Sequence, residues 1–393
     1  MKDDLAVALA VTLLVQSTVS LAVFTPAILT PTAHRDIGVA ASSIGIFTAL
    51  MYTLATLSAP MGGSFISRLG AVRVSQSCLL LAGTGLALCV LGHPVAVAVG
   101  AMFIGSGYGP LTPASSEILV TRTPERIRNL IMSIRQTGVP VGGAIAGAVV
   151  PVLLLAHGWK ATALAIAALN LLCAFALEPA RRRFDRADVH ARYKSRPSLI
   201  ALVRMVFAHA ELRQVSLASF TYAGIQMCLA SFLVVFLTER AGLSVTNAGF
   251  ALSASMLGGI IGRIVWGIAA DALGSARTVL GLIGIVMALS AFALSQVSVG
   301  WPFAAIVVLC IVFGTTALGW NGVYVAEVAR IAPGGDVALA TGASLAFTYL
   351  GVVVAPFAFW AIVAASTSYS IAYIVIGAIT LIGAMTYFRR MAT

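Results

Sequence analysis

The chain has 393 residues, of which 60% are apolar and only 9% charged, and its mean hydropathy is +1.01. Soluble domains run about 45–50% apolar and about 25% charged, so the composition excludes a water-soluble enzyme, a disordered chain and a coiled coil. The net charge of +11 would suit a nucleic-acid binder if the chain were soluble, so the positions of the basic residues decide what it means.

About 20 consecutive apolar residues cross a bilayer as a helix, and scanning at that length predicts twelve spans. In the first half they are Leu5 to Leu29, Ile44 to Ile66, Val74 to Leu91, Val95 to Val120, Leu130 to Leu155 and Ala161 to Leu177. In the second they are Val215 to Leu237, Ala248 to Ala270, Val279 to Val297, Trp301 to Val328, Leu339 to Ala364 and Ser370 to Phe388. The first is read as a retained helix and not a secretory signal, because its apolar run is too long, Lys2, Asp3 and Asp4 do not make a basic start, and eleven spans follow. Twelve spans put both termini on one side. Nineteen Lys and Arg residues fall on that side, and Arg35, Lys160 and Arg240 on the other. The cytoplasmic bias of basic residues then makes both termini cytoplasmic, in a bacterial-type inner membrane. The charge reports topology, and no nucleic-acid partner is expected. Cys78, Cys89, Cys173, Cys228 and Cys310 lie in apolar stretches with no CxxC pair and read as small buried hydrophobes.

One long polar stretch, Glu178 to Pro197, separates the sixth span from the seventh. Ser198 to Arg213 is amphipathic and is expected to lie on the membrane surface, with Arg204 and Arg213 reaching headgroups. The predicted organisation is thus an all-α integral membrane protein with a bundle over 1–177, a linker over 178–213 and a second bundle over 214–393. An internal repeat supports it. GSFISRLGAVR from Gly63 and GIAADALGSAR from Gly267 share glycine, Leu-Gly and the last arginine at an offset of 204 residues, in short loops after the second and eighth spans.

Both loops resemble the GxLADRxGRR signature of the major facilitator superfamily. The second keeps the acidic residue as Asp271, where the first has Ser67. The resemblance implies two pseudo-symmetric six-helix bundles, a central cavity that opens alternately to either side, a small-molecule substrate bound near the midplane, and a monomer in the lipid bilayer. Glu117 and Glu327, near the ends of the fourth and tenth spans, are expected to pair with Arg73 and Arg277, and Asp271 to meet the inner end of the eleventh span or join this network, as latches of the inner gate. The alternative for these residues is plain surface pairing.

Ionisable residues inside a span cost about 2.5–3.5 kcal/mol each on insertion scales, which makes Arg135 and Arg263 candidates for substrate binding. The string Arg-x-x-x-Gly-x-x-x-Asp from Arg263 to Asp271 resembles the arrangement in oxalate and monocarboxylate carriers, where the arginine binds the substrate carboxylate. A guanidinium stays charged and offers a planar fork to a carboxylate. Against this, Arg263 lies inward of its span's midpoint and could snorkel to the surface or pair with Asp271; Arg135 could meet headgroups or Glu117. Gln16, Tyr52, Tyr108, Tyr222, Gln226, Trp320, Asn321, Tyr324 and Tyr349 are candidates to line the rest of the cavity, or alternatively to hydrogen-bond between helices. The glycine strings from Gly105 and Gly138 lie inside apolar spans and are not followed by lysine, so they are not phosphate loops. They let helices approach, and Pro110, Pro113, Pro140 and Pro356 are expected to kink them. No cofactor, metal site or ATP-binding domain is expected.

The expected function is secondary transport of a small organic anion, with a coupling proton or by anion exchange. The alternative is export of drugs or other hydrophobic solutes. That reading is disfavoured because no Asp or Glu lies near the middle of any span. An enzyme would need a clustered nucleophile, metal ligands or an acid–base pair, and the sequence shows none.

Overall fold

The computed structural model describes residues 2–124, 127–185, 199–333 and 337–388. These residues contain no strand. In chain order the helices are α1 (Lys2–Ile37), α2 (Ile44–Ser58), α3 (Gly62–Leu69), α4 (Ala71–Cys89), α5 (Pro94–Tyr108), α6 (Leu111–Val120), α7 (Arg128–Gln136), α8 (Gly138–Ala176) and α9 (Glu178–Phe184). They continue as α10 (Leu199–Ala208), α11 (Ala210–Glu239), α12 (Val245–Leu273), α13 (Ala276–Ser295), α14 (Phe303–Ala317), α15 (Asn321–Arg330), α16 (Val337–Ser366) and α17 (Tyr369–Met385).

Among the described residues, eleven helical stretches are long and apolar enough to cross a membrane, and one of them, Ile134–Phe184, has 51 residues. At 1.5 Å per residue it would be about 77 Å long, against a hydrocarbon core of about 30 Å. It holds two spans, because Gly158 leaves the helical conformation (φ 77, ψ 168) inside α8 and turns the chain. The total is the expected twelve.

Four spans are broken. The second is interrupted at Ala59–Met61, the fourth at Gly109 and Pro110, the fifth at Thr137, and the tenth between Ala317 and Asn321. Of the four prolines expected to kink helices, only Pro110 marks a break. Pro113 and Pro140 fall in the first turns of α6 and α8, where a missing N–H leaves no intrahelical bond unmade. Pro356 is accommodated within α16.

The chain divides into two compact units, residues 1–194 and 195–393. In the first, α1 packs on α8, and α5 on α2 and α4; in the second, α11 packs on α16, α12 on α14, and α13 on α17. Large apolar side chains such as Leu155, Leu172, Phe175, Val308 and Ile382 remain on the outside. That surface suits lipid and would not suit water. All five cysteines are buried and free.

The linker departs from expectation at both ends. α9 continues the sixth span, while residues 186–198 lie outside the described residues. The expected surface helix stops at Ala208, because His209 is extended (φ −116, ψ 113). Glu211 and Arg213 therefore belong to the first turn of α11, and the second bundle begins before residue 214.

Close helix contact depends on absent side chains. A Cβ on Gly105 would lie 1.9 Å from the Met51 carbonyl oxygen, and one on Gly314 1.9 Å from that of Ser255. Gly105→Ala must push α5 off α2, and overpacking of this kind costs about 1–3 kcal/mol. A thermal-unfolding scan of the purified variant should show a lower midpoint, whereas Gly322→Ala, where a Cβ meets nothing within 4 Å, should leave it nearly unchanged.

Candidate functional site

Each of the two span-embedded arginines lies against a break in a neighbouring span of its own unit. Arg135, in the last turn of α7, is 1% exposed. Its guanidinium donates to the Thr112 carbonyl at 3.3 Å, Thr112 Oγ1 at 3.4 Å, Gln16 Oε1 at 3.5 Å and Gln136 Oε1 at 3.3 Å. Thr112 lies in the first turn of α6, just past the Gly109–Pro110 break. Gln16 is buried on α1, and its Nε2 donates to Ser20 Oγ at 3.3 Å. A permanent cation and an amide thus share one buried polar cluster.

Arg263, half-buried on α12, donates from Nε to the Leu318 carbonyl at 3.3 Å. Trp266, on the next turn, donates to the Thr315 carbonyl at 2.9 Å. Both carbonyls lie at the carboxyl end of α14, where the tenth span breaks. Backbone carbonyls freed inside an apolar phase must find donors, and a cation at a helix C-terminus is electrostatically favoured. The arginine that the sequence marks most strongly for a substrate thus meets the carboxyl end of a broken span.

The polar and aromatic candidates sort in the same way. Trp320 donates from Nε1 to Gln226 Oε1 at 3.1 Å, and its ring meets Tyr222 and Tyr324 edge-on, with centroids 5.8 and 5.1 Å away. Tyr222 donates to the Leu280 carbonyl at 2.7 Å, and Tyr324 donates to Ser344 Oγ at 2.6 Å. Ser216 Oγ also donates to Ser344, and Thr348 Oγ1 donates to Ser219 Oγ at 2.9 Å. Tyr222 and Tyr324, candidates either to line the cavity or to hydrogen-bond between helices, are enclosed in the second unit's hydrogen-bonded interior. Tyr52 is buried and meets half-buried Tyr108 edge-on at 5.8 Å. Asn321 is half-buried at the start of α15, and Tyr349 is exposed on α16.

The expected latch pairs form with different partners. Arg73 pairs with Glu178 at 3.6 Å and bonds Gln76 at 3.0 Å, while Glu117 is half-buried on α6. The reason is that α9 carries Glu178 back across the start of α4. Arg277 bonds Gln214 Oε1 at 2.9 Å and the Tyr387 carbonyl at 3.1 Å, and lies 3.8 Å from Glu211. Glu327, 2% exposed, pairs instead with Arg330 at 2.8 Å, because i,i+3 spacing on one helix brings the two together without any tertiary requirement. Asp271 is exposed at the end of α12 and makes no ion pair among the described residues. Arg126, Arg186, Arg192, Lys194, Arg196, Arg389 and Arg390, which contribute to the charge asymmetry, lie outside the described residues.

Sequence reasoning missed Thr112, Trp266, Gln214, Glu178, Asp185 and the hydroxyls at Ser216, Ser219, Ser344 and Thr348. The hydroxyl residues recur on one face of α11 and of α16, and that spacing was the only available signal.

The family model described as Major Facilitator Superfamily matches residues 10–326 and again 215–393. Among curated proteins, a gallate transporter of Pseudomonas putida is 27% identical over 60% of this chain and 59% of its own length. A probable sulfoacetate transporter of Cupriavidus necator is 22% identical over 61% and 59%. The chain thus aligns with less than two thirds of either relative. Among solved structures, a bacterial homologue of the human lysosomal transporter Spinster, inward-facing and unoccupied, superposes with a TM-score of 0.78 at 15% identity, covering 99% of this chain and 97% of that one. A nucleoside transporter superposes with a TM-score of 0.78 at 17% identity, covering 97% and 99%. At such identities the two structures bear on the fold alone.

Two outcomes test this geometry. A hydrogen bond from Gln76, then Arg181 and the charges of Arg181 and Arg73, hold the Glu178 carboxyl below its usual range. Its contribution to stability is complete above the ordinary carboxylate range and is lost as pH falls through the depressed value. Glu178→Gln should therefore lower the unfolding midpoint at pH 7, and the difference from wild type should shrink as pH falls below the ordinary carboxylate range. Tyr324→Phe removes one donor from a buried hydroxyl set and should cost about 1 kcal/mol, read as a lower midpoint in the same scan.

Proposed function

Since this chain belongs to the Major Facilitator Superfamily, and is an integral membrane transport protein and not an enzyme, we propose that it moves a small carboxylate-bearing anion across a bacterial inner membrane by alternating access. The observation that carries this reading is Arg135. A guanidinium 1% exposed, set beside Gln16 and Thr112 at the junction of two broken spans, provides a desolvated, permanently charged fork suited to a carboxylate. Low local dielectric strengthens that attraction over its value in water. The two curated relatives support the same class, since gallate and sulfoacetate are both carboxylates.

Arg135 and Gln16 are the primary anion contacts in this reading, and Tyr52 and Tyr108 are further candidates in the same unit. Arg263 and Trp266 hold the break in the tenth span and act on transport through it. Gln226, Asn321 and Tyr349 remain candidates for substrate contact, whereas enclosed Tyr222 and Tyr324 hold the second unit's interior. Arg73, Arg277, Glu117, Asp271 and Glu327 belong to the loop end, where the resemblance places the inner gate. Both termini face the cytoplasm on the distribution of basic residues. Transport is driven by a co-transported proton or by exchange with a second anion.

Proteoliposomes loaded with buffer test this reading with labelled gallate, benzoate, sulfoacetate and oxalate, beside a neutral nucleoside and a cationic dye. Uptake of at least one carboxylate is expected, and uptake of the dye alone would overturn the anion class. Arg135→Lys keeps the charge and loses the fork, so KM should rise about tenfold, equivalent to about 1.4 kcal/mol. Near-normal KM would remove Arg135 from the site. Arg263→Lys should change KM less than threefold and lower the unfolding midpoint. Accumulation driven by an imposed pH gradient into vesicles lacking any internal anion selects proton coupling over exchange.

A further inference from the structure

The two repeated loops lead into helices that are capped by different means. In the second unit, the Ser275 hydroxyl accepts the N–H of Thr278 at 3.2 Å and so starts α13. The residue 204 positions earlier is Ala71, which has no acceptor, and the residue before it is Gly70. The N–H groups in the first turn of α4 are taken by Asp185. The Val72 N–H donates to its Oδ1 at 2.8 Å, and the Arg73 N–H to its Oδ2 at 2.9 Å. A carboxylate spanning two adjacent amides at a helix start is charge-assisted and aligned with the helix dipole.

The loop is shaped to receive that carboxylate. Gly70 has φ +92, and a Cβ there would lie 2.4 Å from Asp185 Cγ. Any side chain at position 70 would be strained and would also displace the acid. Ser67, which stands where the second loop has Asp271, lines the same cavity of about 770 Å³ as Asp185.

Asp185 follows the last residue of α9, and the rest of that short helix is gripped along its length. Glu178 accepts from Gln76 Nε2 at 3.2 Å, and Arg183 pairs with Asp4 of α1. Arg122, at the end of α6, donates to the Phe184 carbonyl at 3.3 Å, and its guanidinium lies 4.5 Å from the Phe184 ring centroid.

We propose that Asp185 is a positioning residue of the transport cycle. It supplies, from the end of α9, the cap and the negative charge that the first loop lacks, so that this loop and α9 move as one body. α9 is thereby a working part of the gate. This rests on the transporter fold and is independent of which solute is carried.

Hydrogen exchange of the full-length protein in lipid nanodiscs, read by mass spectrometry, needs no substrate. Asp185→Ala should raise exchange at the Val72 and Arg73 amides roughly five- to tenfold, the factor expected for losing a helix cap, and should raise exchange across α9 as well. Adding Ala71→Ser offers α4 a hydroxyl of its own. Whether or not that serine protects α4, α9 should stay fast.

Unchanged exchange in either segment of Asp185→Ala, or recovery of both segments on adding Ala71→Ser, overturns the proposal. Asp185→Asn, which keeps the shape and one accepting oxygen, serves if the alanine variant does not fold, with loss of protection expected at one of the two amides and across α9. Uptake of labelled benzoate and sulfoacetate by the same variants adds a kinetic arm. Turnover should fall several-fold at unchanged KM, the opposite of Arg135→Lys, and full recovery of turnover in Asp185→Ala with Ala71→Ser would count against the linkage.

Discussion

The constraint on which the rest of this structure depends is that backbone polar groups inside an apolar phase must be satisfied within the protein. An unbroken span meets it automatically. A span that breaks releases carbonyls and amides that need donors and acceptors at that depth, and four of the spans here break. Arg263 and Trp266 answer the break in the tenth span, through the carbonyls of Leu318 and Thr315. Arg135 answers the region beyond the break in the fourth, through Thr112. The same requirement that makes a charge inside a membrane costly thus gives these two charges partners within the protein.

Helix proximity is the second condition on the breaks. Spans approach until a glycine on one meets backbone on the other, as Gly105 does at Met51 and Gly314 at Ser255. Without a hydrophobic driving force between helices in lipid, close van der Waals packing and side-chain hydrogen bonds hold them together. The hydroxyls of Ser216, Ser219, Tyr324, Ser344 and Thr348 play that part in the second unit. They join α11, α15 and α16, so the short helix after the tenth span's break is held in place. Tyr222 crosses in the other direction, to α13.

At the loop end the two halves show how a duplicated element diverges without losing its geometry. Both loops turn on a glycine of positive φ, Gly70 and Gly274, and both must cap the following helix. One does so with its own serine and the other with an aspartate from the linker. Arg73 and Arg277, equivalent in the repeat, also find different partners: Glu178 in one unit, and Gln214, Tyr387 and Glu211 in the other.

The sequence by itself determined the number of spans, the two halves, the repeat that relates them and the membership of a transporter family. Length, hydropathy and spacing along the chain suffice for each of these. It also marked Arg135 and Arg263 as exceptional, because a charge in an apolar run is visible without coordinates. What those charges do was decided by tertiary structure. Arg263 turns to Leu318 and Arg135 to Thr112 and Gln16, and those choices depend on where a neighbouring span breaks. The pairing of Glu327 with Arg330 was within reach of the sequence, being three residues apart on one helix. The pairing of Arg73 with Glu178, and the capping of α4 by Asp185, were not. More than 100 residues separate those partners, and only the path of α9 back across the start of α4 brings them together.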